Sequence, residues 1–331
     1  MRWLAVAIAL ACGCGDNVAG IELEELDRAE QQARCIYLTR CGLFTETALC
    51  DAYFQFHRDE SRIAAVRAEQ MRYDAVAALA CLDEMVGSLT CDLASREARV
   101  PSDACRQMFR GDLSGGEECA FDAECKSGDC DVAACPAETC CYGRCTARKD
   151  PAEIDGACET KADCIDDAWC GEDGRCKGLG AVGGTCTLDE QCEYGLGCIG
   201  ATELMPGACR ALPLLGEACP YRRCAEIGAR CAGGTCVPLG LPGDACEVIG
   251  DCSPYSECDL QAKVCGEPPS EIGAACNRFC AGDSWCDLLG TKTCRERKEN
   301  TTPCFLDSQC LSGYCADGAF YMACTDREVC Y

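Results

Sequence analysis

The chain has 331 residues, 40 of them cysteine, only 6% aromatic residues and a formal net charge of −25. A cysteine content above the ~8–10% of disulfide scaffolds excludes one large oily core and a reducing compartment, and predicts several small stapled units in an exported protein. The acidic balance excludes a nucleic-acid surface, keeps a chain with little core soluble, and leaves cations or basic partners as what it would attract.

Met1–Ala11, MRWLAVAIALA, carries one basic residue and a short apolar run, which reads as a secretory signal too short to span a bilayer. The run ends Ala9-Leu10-Ala11-Cys12-Gly13-Cys14. Small residues followed by cysteine resemble the lipobox of bacterial lipoproteins, which implies diacylation of Cys12 or Cys14. Ala11 favours Cys12. Parity favours Cys14, because the 38 cysteines from Cys35 to Cys330 are an even set and Cys12 would leave with the signal. Both remain open, with ordinary secretion as the alternative to a lipid anchor. No later stretch is apolar enough for a transmembrane helix, so membrane contact is expected through lipid only. Abundant alanine, and arginine in excess of lysine, fit a GC-rich bacterial gene.

Residues 20–113 are expected to form an α-helical six-cysteine domain. Over Glu22–Cys41, Leu23, Leu26, Ala29, Ala33 and Ile36 recur at helical spacing; over Asp59–Met85, Ile63, Val66, Gln70, Tyr73, Ala77 and Cys81 do the same. A shorter helix starts at Pro101-Ser102-Asp103, capped by Ser102 or Asp103, and ends at Gly111. Two long helices and one short one would pack as an antiparallel bundle. Cys35, Cys41, Cys50, Cys81, Cys91 and Cys105 allow three bridges in any of fifteen pairings. His57, the only histidine, has no catalytic companion nearby and reads as a solvated residue.

From residue 116 a cysteine rhythm repeats seven times, most plainly in Gly243–Cys265, whose Cys246, Cys252, Cys258 and Cys265 are spaced by five, five and six residues. The first module, residues 116–145, holds Cys119, Cys125, Cys130, Cys135, Cys140, Cys141 and Cys145. Five four-cysteine modules fill residues 156–294: Cys158, Cys164, Cys170 and Cys176; Cys186, Cys192, Cys198 and Cys209; Cys219, Cys224, Cys231 and Cys236; the plain phrase; and Cys276, Cys280, Cys286 and Cys294. The last, residues 301–331, has Cys304, Cys310, Cys315, Cys324 and Cys330. First cysteines follow one another at 27–39 residues, a linear array of units. The odd counts of the two end modules leave either one thiol over in each or a bridge crossing between modules; the crossing bridge is expected, since a free exported thiol is a liability. Gly116, Gly183, Gly216, Gly243 and Gly273 lie three residues before a first cysteine and suit a sharp turn. Acidic Glu124, Asp163 and Asp251 precede second cysteines, and Trp169, Trp285 and Tyr314 precede third ones, where packing on a disulfide is expected. Turn residues Glu172-Asp173-Gly174, Gly233-Gly234 and Gly290 predict one β-hairpin per module. With linkers stiffened by proline, as in Pro238–Pro242 and Glu267–Ser270, a fully extended array would reach on the order of 140 Å.

In the first module, Cys119-x5-Cys125-x4-Cys130 followed by Cys140-Cys141-Tyr142-Gly143-Arg144-Cys145 resembles the Dickkopf N-terminal cysteine-rich domain, Glu124 matching that family's acidic residue. Cys304-x5-Cys310-x4-Cys315 with Tyr314 repeats the front half. The aromatic is missing before Cys130, where Asp129 stands, and the CC stretch is one residue short. The layout of lipobox, helical cysteine domain and repeats is similar to cysteine-rich Dickkopf-like lipoproteins of myxobacteria. The resemblance implies an extracellular disulfide-rich binding module; no receptor-contacting residue maps onto this chain.

Chemistry finds little support. Without C-x-x-C, zinc knuckles and thioredoxin-like sites are excluded, and without C-x-C among the later cysteines, so are EGF modules. Gly282-Asp283-Ser284-Trp285 looks like a lipase motif, but its base would have to be His57 of another domain, so a turn is expected. Asp166-Asp167 and Glu172-Asp173-Gly174 are the best calcium candidates, yet they lack D-x-D-x-D-G spacing. The expectation is a non-enzymatic, cofactor-free surface protein that binds or spaces an extracellular protein or envelope component. The alternative is a secreted protease inhibitor, with Tyr221-Arg222-Arg223-Cys224 as a candidate loop. Intact mass provides the first test. Alkylating the unreduced protein is expected to add nothing, and reduction to open about nineteen bridges; a stoichiometrically alkylated thiol would overturn this.

Overall fold

The computed structural model describes residues 20–54, 60–132, 142–147, 151–269, 271–276, 280, 284–288, 290–299, 301–304, 309–310, 315–317 and 322–324. The signal segment with Cys12 and Cys14, His57, Cys135, Cys140, Cys141, Tyr314 and Cys330 lie outside these residues, as therefore does the expected bridge between end modules.

The N-terminal domain runs α1 (Leu23–Arg40), α2 (Thr47–Tyr53), α3 (Glu60–Arg67), β1 (Met71–Tyr73), α4 (Ala75–Gly87), α5 (Arg96–Arg99), α6 (Asp103–Met108) and β2 (Phe109–Gly111). Glu24 and Glu25 in the first turn of α1 and Arg40 in its last suit the helix dipole. Leu26 and Ala33 of α1 pack on Ala78 and Leu82 of α4, each larger side chain contributing roughly 1.5–3 kcal/mol by burial. The fifteen pairings resolve to Cys35–Cys50, Cys41–Cys91 and Cys81–Cys105. Cys35 and Leu38 join the buried stripe of α1, while Ile36 is exposed.

The single helix expected over Asp59–Met85 is broken. Asp74 accepts from the backbone N–H groups of Val76 and Ala77, both at 3.0 Å, and so starts a new helix. Just upstream, Met71–Tyr73 is drawn into antiparallel pairing with Phe109–Gly111. A partner remote in sequence overrides the helical pattern there. Ser102 caps α6 through the N–H of Cys105 at 3.2 Å. The helix stops at Met108, short of Gly111, which lies in β2, where a β-carbon would collide with the backbone of Glu124 and Cys125.

All seven modules share one frame. The third and last cysteines stand directly opposite in an antiparallel hairpin, Cys324 counting as the last of the seventh module because Cys330 lies outside the described residues: Cys130↔Cys145, Cys170↔Cys176, Cys198↔Cys209, Cys231↔Cys236, Cys258↔Cys265, Cys286↔Cys294 and Cys315↔Cys324. The first cysteine bridges to the third: Cys119–Cys130, Cys158–Cys170, Cys186–Cys198, Cys219–Cys231, Cys246–Cys258, Cys276–Cys286 and Cys304–Cys315. The second bridges to the last: Cys125–Cys145, Cys164–Cys176, Cys192–Cys209, Cys224–Cys236, Cys252–Cys265, Cys280–Cys294 and Cys310–Cys324. Half-cystines alone make up the buried core of several modules, as with Cys246, Cys252, Cys258 and Cys265. Each bridge closes a loop of 10–20 residues, which stabilises by roughly 3 kcal/mol in the chain-entropy picture.

Backbone bonds complete the frame. Three residues before every first cysteine the chain turns left-handed. The five glycines do so at φ 84–96°, joined by Asp155 (71°) and Thr301 (70°). The N–H of that residue donates to the carbonyl of the last cysteine, at 2.7 Å for Gly116 and Thr301 and 2.8 Å for Gly243. The last cysteine's N–H returns a bond one residue further on, as from Cys265 to Asp244 at 2.8 Å. Upstream, the linkers of five modules pair with the second cysteine, as at Gly180↔Cys192 and Gly240↔Cys252, so these linkers belong to the modules they enter.

Modules one to five are not strung out as a free rod; they pack on the helical domain. The 91–93 stretch pairs with the fourth module through Leu93 N–H to the Ala225 carbonyl at 3.1 Å and Ile227 N–H to that of Cys91 at 3.0 Å. Gly228 approaches Cys41 so closely that a β-carbon would meet its carbonyl oxygen. In the fifth module, Tyr255 stacks on Phe44 with centroids 4.6 Å apart, and Ser253 Oγ donates to the Leu43 carbonyl at 2.7 Å. Because Thr301 is β-branched at φ 70°, a strain of about 1–2 kcal/mol is stored there. Thr301→Gly is expected to slow amide exchange at Cys324, and Gly243→Thr to accelerate it at Cys265. Equal exchange in both variants would refute the shared turn.

Candidate functional site

The residues singled out for chemistry are engaged structurally. Ser284 is buried within the strand Ser284–Cys286, and Gly282 and Asp283 lie outside the described residues. Asp166 and Asp167 do not converge with the Glu172–Gly174 turn. They face arginines of the helical domain instead, Arg106 to Asp166 at 3.1 Å and Arg96 to Asp167 at 2.7 Å, while Asp173 pairs with Lys177 at 3.2 Å. The sulfur clusters of the modules, such as Cys186, Cys192 and Cys209, are packed disulfides, so their sulfurs are shared with other cysteines. Trp169 and Trp285 carry a lysine over the ring, Lys177 at 5.7 Å and Lys298 at 5.6 Å.

The acidic residues before second cysteines have a structural task. Glu124, wholly buried, accepts from the N–H of Ala120 at 2.5 Å; Asp163 accepts from Glu159 and Thr160, and Asp251 from Glu247 and Val248. Each folds the stretch between first and second cysteines into a 3₁₀ turn. Gln191 does the same through Thr187 at 2.6 Å. The backbone N–H groups of Glu247 and Val248, with Arg230, hold the Asp251 carboxyl below the usual carboxylate range, against burial.

Arginines join the modules to the helices and to each other. Arg99 donates to the carbonyls of Asp189, Cys192 and Leu196 at 2.6–3.0 Å. Arg223, where five of the other six modules have an acid or amide, reaches back to Asp189 at 2.6 Å and to the Cys198 carbonyl at 3.0 Å, so it is spent on holding the fourth module to the third. These contacts had no signal in sequence beyond an arginine replacing the expected acid. At the domain entrance Tyr73 donates to the Ile21 carbonyl at 2.7 Å; burial first, with Glu30 and Asp74 adding and Arg62 opposing, pushes its phenol up to about 12.

Two features face solvent uncommitted. One is a groove of about 940 Å³ where β2 meets the first module, lined by Arg72, Arg106, Arg110 and Lys126 with no acidic residue among the described residues of its wall. The other is the hairpin tip of the third module. There Thr202 and Met205 pair, the Thr202 hydroxyl accepts from the N–H of Met205 at 3.0 Å, and Leu204 and Met205 are 93% and 63% exposed.

This architecture defines a disulfide-rich modular protein, repeat-built on a helical hub, of the kind made for an oxidising extracytosolic compartment. Among the described residues no helix is long and apolar enough to cross a membrane. Compared with family models, curated proteins and solved structures, the chain has no match.

The Asp189–Arg223 contact should respond to acid. Burial pushes the Asp189 carboxyl up, but Arg223, the N–H of Cys198 and Arg99 together hold it below the usual carboxylate range. Its stabilisation is therefore complete above the unfolded value of about 3.9 and is lost as pH falls through the lower folded value. Amide exchange at Cys198 is expected to rise below pH ~4 and to lose that dependence in Asp189→Asn. An unchanged profile in the variant would exclude the ion pair as its source.

Proposed function

We propose that the protein is an exported, lipid-anchored cell-surface protein whose stapled modules bind an extracellular protein or envelope component without catalysis. The observation that carries the binding reading is a constant frame with variable loops. Between third and last cysteines the loops run from four residues, in Cys231–Cys236, to fourteen, in Cys130–Cys145, while the bridges keep one pattern. Such rigid presentation lowers the ordering cost of binding. The N-terminal cysteines and the Dickkopf-like and myxobacterial resemblances support the anchor and the extracellular class.

A second reading, protease inhibition, is favoured by the exposed Leu204–Met205 tip on its stapled hairpin. Membrane fractions are expected to hold the intact protein with added lipid mass, and Cys12→Ser with Cys14→Ser together to release it to the medium. A non-lipidated chain is expected to retain an envelope or medium component in a pulldown. Nanomolar serine-protease inhibition by the released chain would favour the inhibitor, and genuine hydrolytic turnover would sink the non-enzymatic reading.

A further inference from the structure

We propose that the groove between β2 and the first module binds a sparsely charged acidic oligosaccharide, of the uronate-containing kind; this deepens the binding reading above and rests on it. The groove is at odds with its own chain. A protein of net charge −25, with 55 acidic and 30 basic residues, gives this groove, among its described lining residues, four basic side chains and no carboxylate. At about 940 Å³ it lies near the top of the ~300–1,000 Å³ range of ligand clefts. That is room for a short oligomer, far more than a single ion fills.

The four cations are of two sorts. Arg72 is held by Asp112 at 2.6 Å, and Arg106 by Asp103 at 2.9 Å and Asp166 at 3.1 Å, so both are fixed in place with their charge compensated. Arg110 has no carboxylate partner among the described residues. Lys126 likewise has none and is oriented by Ser114 Oγ at 3.0 Å. Two free charges beside two compensated ones suit carboxylates spaced along a neutral chain. A dense polyanion, nucleic acid or an anionic bilayer, would meet the repulsion of the whole acidic body within a Debye length of about 8–10 Å.

Hydroxyl chemistry in the same wall separates a sugar from a phosphate group. Ser127 Oγ donates to the Asp129 carbonyl at 3.2 Å, and Thr146 Oγ1 to the Asp129 carboxylate at 2.8 Å. Ser127 Oγ also accepts from the Asp129 N–H at 3.4 Å; with their protons spent, each oxygen still keeps a lone pair, which accepts from a sugar hydroxyl and gains nothing from a fully ionised phosphate. Phe109 and Pro151 add apolar surface for the C–H face of a pyranose ring.

Calorimetric titration of the full disulfide-bonded chain tests this, using hexagalacturonate as the probe, with maltohexaose, inorganic phosphate and phosphatidylglycerol vesicles as the other arms. Hexagalacturonate is expected to bind, more weakly as salt rises, with maltohexaose and phosphate at least about tenfold weaker. Arg110→Ser with Lys126→Ser is expected to weaken binding at least about tenfold. Arg210→Ser with Lys161→Ser makes the same charge change outside the groove and should leave binding within twofold. Four results each overturn the assignment: no uronate binding, equal loss in both double variants, preference for phosphate, or binding to vesicles alone. A failed titration with intact surface retention and pulldown would remove the ligand and leave the binding reading standing.

Discussion

The constraint on which the molecule depends is the crossing of two disulfides over one hairpin rung. Because the third and last half-cystines are opposite residues of an antiparallel pair, their bridges to the first and second cysteines fold the preceding stretch back onto the hairpin. The left-handed residue upstream closes the unit by bonding the last cysteine from the other side. Nothing in this frame depends on a large side chain. A module with an all-sulfur core, such as Cys276–Cys294, can therefore keep its shape while its loops change length and sequence.

Sulfur secures each unit but says nothing about how units sit together. That is done by the helical domain, with ordinary chemistry. The 91–99 segment lends backbone to the fourth module and Arg99 to the carbonyls of the third, while Phe44, Tyr53 and Phe54 hold Tyr255 of the fifth. Guanidinium groups suit these joints because their planar fork can serve several carbonyls or carboxylates at once. In a chain this acidic, placing arginines at the joints also offsets repulsion between neighbouring modules.

The repeat, the hairpins and the turn glycines were legible in the sequence because cysteine spacing and φ > 0 are strictly local demands. Asp155 and Thr301 were not: aspartate tolerates a left-handed turn without requiring one, and β-branched threonine disfavours it, so the frame imposes it. The turns at Lys263 and Lys292 are hidden for the same reason, the latter taking the left-handed role that Gly290 suggested. The broken helix at Gln70–Asp74 escaped because its cause, pairing with Phe109–Gly111, lies far along the chain. The basic groove escaped similarly. Arg72 and Arg106 come from the helical domain and Lys126 from the first module, and only the close packing allowed by Gly111 brings them to one wall.

That same junction joins the two ends of the proposed function. The chain enters the body at Ile21, pinned by the Tyr73 hydroxyl and by its own N–H to the Ala75 carbonyl at 3.1 Å. Arg72, the neighbour of Tyr73 in β1, lines the groove, and β1 pairs with the strand that leads into the first module. A lipid-anchored protein pulled at its N-terminus would transmit the load into β1 and β2, whose pairing also sets the groove's wall. Tether and binding surface would then share a two-stranded sheet, backed on one side by α4, capped through Asp74, and on the other by the sulfur-locked first module. Rigidity at this sheet is what both tasks require, and the Cys81–Cys105 bridge between α4 and α6 supplies it from behind.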